Sequence, residues 1–533
     1  MRKLLVFTLA LCPLLLAQEV IDQNTNWKIR REENEHSQVM RTAHVLTDRY
    51  GPRLTGSPNY EAAAKWAVAQ LTEWGLKNAH LEAWDFGHPG WTNERAWGVM
   101  TAPVTRNLSF EVLAWTPSTN GVAAGPAVQL IPPQSPTKDE LTAWLDANAS
   151  KVRGKVVLVG KAAVIPVSFN PVNKRSDDAE LRARYDSPNP SPMGPPRQAP
   201  AAQPRPGALP ANEVARMIDE WLVANGALVR VNDSGMGYGH IRAFQNRTYD
   251  ITKAVPTVVL RNEDFGRIER LLADKENVQL EFNIVNHTYP DGKTSYNVVA
   301  EIPGAEKPDE VVMLGGHLDS WHAATGATDD ASGCAVMMEA VRLIQTLGLK
   351  PRRTVRIALW AAEEQGLLGS QAYVKEHFGT FEEQKPDYSK FVAYFNVDSG
   401  TGRLRGANIF GPPEAAAVLR EALAPFQDLG VVGAAASRTR SLGGTDSTSF
   451  NVAGLAGISL GQDPIEYFND TWHTNLDTYE RLVPGDLAQA STVVAAAVWH
   501  LANREQPLPR FTKEQMPAPP KAPEAAKPAA ASK

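Results

Sequence analysis

Two histidines and a set of carboxylates recur in the second half of this 533-residue chain, where apolar strands are expected to end. EVVMLGGHLD closes on His317 and Asp319. The glycine-bearing loop GATDDASG then delivers Asp329 and Asp330 at the start of a helix. TVRIALWAAEE closes on Glu363 and Glu364, KFVAYFNVD on Asp398, and NDTWHTNLDTYE presents His473. A single acid at a strand end is an ordinary cap or solvated turn. Imidazoles and carboxylates gathered at successive strand ends suit zinc and related divalent metals. The lack of cysteine among them fits a catalytic site better than a structural one. Two histidines with three carboxylates exceed what one zinc needs; they suit two metals about 3.5–4 Å apart that share a carboxylate. In the adjacent pair Glu363–Glu364, one residue can bind metal while the other stays free as a base.

Such residues converge only if the strands lie side by side with their carboxyl ends together. From Ser295 onward, strands that are apolar nearly throughout alternate with helices over 329–346, 367–376, 414–426 and 485–502. That alternation predicts an α/β fold, with a mostly parallel or mixed central sheet and helices on both faces. In open sheets of this kind the ligand site lies beyond the carboxyl ends of the strands. Earlier in the chain, 36–50 and 60–76 have helical spacing, and LEAWDF reads as a strand. From about Val122 the texture changes to short strands (VRGKVVLVG, LVRVND, VPTVVL, VQLEFNIV) with helices over 211–225 and 262–273, which predicts a smaller, β-rich inserted unit.

The ends read differently from the middle. MRKLLVFTLALCPLLLAQ has the basic start, short apolar run and small residue of an export signal, expected over 1–17 and too short for a comfortable membrane span of about 20 residues. The stretch 188–210 is a proline-rich loop, and 506–533 is expected to be a disordered Pro/Ala/Lys tail. The remaining expectation is a larger domain in two parts, the first over 18–121 and the second, carrying the metal site, over 291–505, with the insertion over 122–290 between them. With 54 basic against 59 acidic residues, nothing points to nucleic acid or to an anionic membrane. Only two cysteines occur, and Cys12 lies within the signal, so a disulfide scaffold is excluded.

HLDS, TDDASG, WAAEEQGLLGS, NVDSG and WHTNLDT, in this order, resemble the motif set of the co-catalytic zinc exopeptidases, a family that includes aminopeptidase Y, glutamate carboxypeptidase and carboxypeptidase Q. GPRLTGSPNYEAAAKWAVAQLTEWGL resembles that family's N-terminal segment, and the closing stretch from Tyr467 is most similar to the carboxypeptidase Q branch. The inserted unit is similar to a protease-associated domain. The resemblance implies two zinc ions bridged by Asp329, with His317 and Asp398 completing one site and Glu364 and His473 the other. It further implies that Glu363 is the general base for the bridging water, and that Asp319 holds the His317 imidazole through its second nitrogen. Asp330 is expected to cap the helix. The implied activity is a secreted or periplasmic exopeptidase acting on peptides, read as an aminopeptidase or dipeptidase with a carboxypeptidase as the alternative. Arg438 and Arg440 are the candidates for a substrate carboxylate, and the oligomeric state stays open.

Two features depart from the family pattern: Asp446 is followed by Ser447 rather than His, and Trp472 stands where some relatives have Tyr. GISLG around Ser459 matches a serine-hydrolase motif but lacks the helix that a nucleophile elbow requires. His322 is expected to be an exposed loop residue. Outside the peptidases, two rivals remain: a one-zinc glutaminyl cyclase, and a receptor-like relative without catalysis, whose lost ligands are not seen in this chain.

Overall fold

The computed structural model describes residues 21–170, 172, 174–186, 205–246, 248–441 and 444–520. The expected signal over 1–17 and most of the proline-rich loop lie outside them. Among the described residues, two eight-stranded sheets organise the chain.

The first sheet runs, edge to edge, through Lys77–Asp85, Thr294–Ile302, Arg353–Trp360, Lys307–His317, Phe391–Asn396, Gly457–Gln462, Leu404–Phe410 and Gly433–Ser437. It is mixed. Its centre is parallel: Lys307–His317 pairs with both Arg353–Trp360 and Phe391–Asn396, and the latter pairs with Gly457–Gln462. Antiparallel pairs flank that centre. Leu404–Phe410 and Gly433–Ser437 were not foreseen from the sequence.

Period-two alternation sends successive side chains to opposite faces. Val298, Val312, Leu314, Ile357 and Leu359 enter one core with helices Ser332–Thr346 and Pro484–Asn503. Val299, Val311, Met313, Ala358 and Trp360 enter another with Tyr373, Phe378 and Phe450. Helix Ser332–Thr346 is buried from Ser332 through Ile344, as a central helix must be when it packs on the sheet and on its neighbours at once. Near the N-terminus, the expected helix over 36–50 is present as Val39–His44 continuing into the wider turn Val45–Arg49, and a separate helix, Gln23–His36, precedes it.

The second sheet begins at Gly90, within the region expected to belong to the first peptidase part. Its order is Arg106–Asn107, Gly90–Ala102, Gln279–Tyr289, Val122–Leu130, Val156–Val159, Val229–Asp233, Thr257–Leu260 and Phe110–Val112. The expected boundary at 122 therefore cuts through this sheet. The long pairing of Gly90–Ala102 with Gln279–Tyr289 is not visible in local texture, because nearly two hundred residues separate the partners. Trp91, Trp115, Phe265 and Phe282 fill its core.

The tail expectation changes for residues 506–520, while 521–533 lie outside the described residues. Residues 506–520 include Leu508 and Phe511, both buried, with Phe511 edge-on to Phe410. Arg510 donates to the Tyr388 carbonyl and Arg438 to that of Gln515. Two apolar anchors suffice to dock this segment despite its prolines. No helix among the described residues is long and apolar enough to cross a membrane.

Candidate metal centre

The parallel centre of the first sheet brings the acid- and histidine-bearing ends together. His317 is the last residue of its strand and fully buried. Its Nδ1 lies 3.0 Å from the Asp319 carbonyl oxygen, so the ring donates there and presents Nε2 to the cluster. Nε2 is 3.1 Å from Asp329 Oδ1, 3.7 Å from Asp398 Oδ1 and 4.0 Å from Glu363 Oε2. On the other side, His473 Nε2 is 3.1 Å from Asp329 Oδ2 and 2.9 Å from Glu364 Oε2. Asp329 thus offers one carboxylate oxygen to each imidazole.

These contacts do not satisfy the groups involved. Glu364 Oε1 and His473 Nδ1 are buried without a hydrogen-bond partner among the described residues, and the buried Asp329 Oδ2 has only the His473 contact. His317, Asp329 and Glu364 offer ligand atoms all within 4.8 Å of one another. Buried polar atoms left unpaired in a set of nitrogen and oxygen donors fit divalent zinc well.

The electrostatics describe the same need. Burial alone would depress His317, but Glu363 and Asp398 hold it well above the ordinary imidazole range. His473 is likewise raised to about 10, with Glu364 and Asp329 overcoming burial. Burial pushes Glu363 well above the carboxylate range and Glu364 up to about 7. Asp329 is held low despite its burial, because both imidazoles face it. Without a cation, protons on the imidazoles balance the carboxylates; zinc requires those imidazoles neutral and takes the protons' place.

Backbone contacts hold the ligands. The Asp319 carboxylate accepts the N–H groups of Glu363 (3.1 Å) and Glu364 (3.4 Å), while its Oδ1 stands 3.6 Å from His317 Nδ1. The expected imidazole contact is therefore made by the Asp319 carbonyl, and the carboxylate sets the Glu363–Glu364 turn instead. Asp330 caps as expected: Oδ1 accepts from Gly333 N (3.0 Å) and Oδ2 from His317 N (3.2 Å). Gly316 and Gly333 leave the space it occupies, since a Cβ on either would overlap the Asp330 carboxylate.

Several residues at the site escaped sequence reasoning. Asp477 accepts from the N–H groups of Thr328 (2.5 Å) and Asp329 (3.2 Å) and so sets the loop that carries Asp329. It lies inside the WHTNLDT motif, which was the available signal. Arg53, fully buried, donates to the carbonyls of Leu318, Thr325 and Gly326. The Tyr467 hydroxyl donates to Asp398 Oδ1 at 3.1 Å. Trp472 stacks on the His473 ring at 3.9 Å, and Phe244 of the inserted unit meets it edge-on at 5.4 Å. Arg242, also from the inserted unit, lies 4.8 Å over Trp472 and donates to its carbonyl.

Other expectations are corrected. His322 is not exposed: its Nε2 lies 2.6 Å from the Val112 carbonyl, and burial lowers it to about 4. Arg440 is buried against Glu382 and Phe381, and Arg438 lies over Phe511, so neither is available at the cluster. Ser459 sits in strand Gly457–Gln462 with its hydroxyl on Ser447, not on an elbow.

The chain is similar to known proteins over most of its length. Residues 297–498 match the model of peptidase family M28. Carboxypeptidase Q of Rattus norvegicus is 30% identical over 470 residues, covering 87% of this chain and 85% of that protein. The Homo sapiens carboxypeptidase Q is 29% identical over 471 residues, with 87% and 85% covered. Among solved structures, a peptidase M28 precursor from Shewanella amazonensis superposes with a TM-score of 0.64 at 26% identity, covering 92% of this chain and 99% of that one. A zinc aminopeptidase from Bacillus subtilis shares the fold, with a TM-score of 0.53 at 18% identity over 90% of this chain and 98% of that one.

Proposed function

The chain belongs to peptidase family M28, a family of zinc exopeptidases, and from that premise we propose that it hydrolyses the terminal peptide bond of short peptides at two zinc ions held by His317, Asp329, Glu364, Asp398 and His473. The observation that carries this reading is Asp329, whose two oxygens each face one imidazole at 3.1 Å, flanked by Asp398 on one side and Glu364 on the other. Bound there, zinc supplies Lewis acidity, which acidifies water and polarises the scissile carbonyl.

The chain's own residues do the rest. Glu363 is the general base: its carboxyl stands beside the ligands and is not needed as one, and burial has raised its proton affinity. It takes a proton from the attacking water and returns it to the leaving amine. The Asp319 carboxylate positions Glu363 and Glu364 through their backbone N–H groups, and the Asp319 carbonyl fixes the His317 tautomer. We read the inserted unit as a protease-associated domain that completes the rim of the site, and residues 1–17 as an export signal.

Arg242 favours the carboxypeptidase or dipeptidase form of this activity. Its guanidinium is half-buried, its Nε is buried without a partner, and it has no carboxylate partner among the described residues. A cation partly stripped of water and held without an anionic partner is costly, and a substrate α-carboxylate is a group that offsets that cost. The test is a panel of peptides with free or blocked termini, assayed with and without a chelator. Hydrolysis should need metal and a free carboxy terminus, and Arg242→Ala should raise KM more than it lowers kcat. Full activity on C-terminally amidated peptides, lost on N-acetylation, would make the enzyme an aminopeptidase. Undiminished activity after metal removal would overturn the zinc reading itself.

A further inference from the structure

A groove of about 530 Å³ opens on the inserted unit, where that unit meets the loop carrying His473. Trp97, Glu111, Ile241 and Asn475 line it. Asn475 lies two residues beyond His473, and it binds the inserted unit through Ile241 N (2.8 Å to Oδ1) and the Ile241 carbonyl (3.0 Å from its own N). The groove therefore joins the loop that carries a proposed metal ligand.

Glu111 has no role in the fold that accounts for a carboxyl at this position. In strand Phe110–Val112 its neighbours point into the core: Phe110 meets Phe282 edge-on, and Val112 is buried with it. Glu111 points the other way. It stands in register with Val259, whose apolar cluster includes Ile241, Ala243 and partly buried Leu113. The carboxyl has no ion-pair or hydrogen-bond partner among the described residues, and burial alone pushes it up to about 8. Trp97, in contrast, is 42% exposed, an unusual position for an indole on a strand. A desolvated carboxyl, which gives up its proton when a cation arrives to pair with it, and an open indole face are two groups that together recognise an organic cation, the first by charge and the second by cation–π attraction.

We propose that this groove is a subsite for the ammonium or guanidinium group of a peptide, contacted by the Glu111 carboxylate and the Trp97 ring. For its catalytic consequence the proposal rests on the hydrolytic reading above. The cation is either a basic side chain or the peptide's α-amine, and both present the same chemistry.

The zinc-loaded full chain is titrated calorimetrically with pentylammonium, and with pentanol as the uncharged control. In parallel, kcat/KM is measured for Ala-Lys, acetyl-Ala-Lys, Ala-norleucine and acetyl-Ala-norleucine, in the wild type, Glu111→Gln and Trp97→Ala. Pentylammonium should bind and pentanol should not, and both substitutions should weaken that binding by about tenfold or more. The same substitutions should lower kcat/KM for a cation-bearing substrate relative to acetyl-Ala-norleucine. Selective loss on acetyl-Ala-Lys identifies the side chain as the source, and selective loss on Ala-norleucine identifies the α-amine. Equal binding of pentylammonium and pentanol, or substitutions that change all four substrates alike, would overturn the subsite. If no substrate is cleaved yet pentylammonium binding depends on Glu111, the hydrolytic reading fails and the subsite stands.

Discussion

At the scale of single residues, Glu363 and Glu364 show how adjacent identical side chains take different parts. Glu364 touches the His473 imidazole at 2.9 Å, while Glu363 stays 4.0 Å from that of His317 and keeps a raised proton affinity. Glu363→Gln should retain both zinc ions, read by metal analysis, and lose at least about 100-fold in kcat, the scale of a general base. Wild-type turnover in that variant would remove Glu363 from the mechanism. The imidazoles also fix a pH dependence. Metal-free His473 is raised to about 10, and zinc needs it neutral, so binding expels a proton over the whole range below that value. Zinc affinity should therefore rise with pH up to about 10, more steeply below about 7, where Glu364 must also lose its proton. Chelator competition at a series of pH values reads both slopes, and a flat profile would show that the imidazoles are not ligands.

At the scale of elements, the site depends on how closely the start of helix Ser332–Thr346 approaches the end of strand Lys307–His317. Asp330 bridges them through the N–H groups of Gly333 and His317, in space that only glycine leaves open. A Cβ on Gly333 would overlap both Asp330 oxygens and the Val397 carbonyl. Gly333→Ala should destabilise the protein by about 1–3 kcal/mol, the cost of overpacking a tight core, and weaken zinc binding as Asp329 shifts with its neighbour. Asp477 acts on the same loop from the far side. Asp477→Asn keeps the shape but loses one strong acceptor, and should cost about 10–100-fold in zinc affinity, as outer-shell changes do. Unchanged affinity in either variant would show that the loop holds its form without these contacts.

At the scale of the molecule, metal and junction stabilise together. The inserted unit meets the rest of the chain through Asn475 and Arg242 near the centre, and through Arg175 on Asp463 and Asp486 together with Lys174 on Glu466. Zinc binds the folded chain, so saturation should raise the melting temperature. Free zinc at 100 times its Kd adds about 2.7 kcal/mol, and chelation should remove it. A calorimetric melt with and without chelator measures this, and equal melting temperatures would show that the folded chain gains nothing from metal.

The histidine and carboxylate candidates and the α/β class were legible in the sequence as local patterns, an apolar strand, then a turn, then a side chain able to bind metal, whereas the role of each residue rested on the family resemblance. Parallel strands point their ends the same way, so residues such as His317, Asp398 and Glu364 converge once the strands pair. What the tertiary structure alone decided lies between segments far apart in the chain. The second sheet's start at Gly90, the docking of 506–520 through Leu508 and Phe511, the contact of His322 with the Val112 carbonyl, the presence of Arg242 and Tyr467 around the centre, and that of Glu111 in the neighbouring groove are such cases. Their roles depend on which surface covers them and which charge is left unpaired, and burial and pairing are properties of the packed chain rather than of any stretch of it.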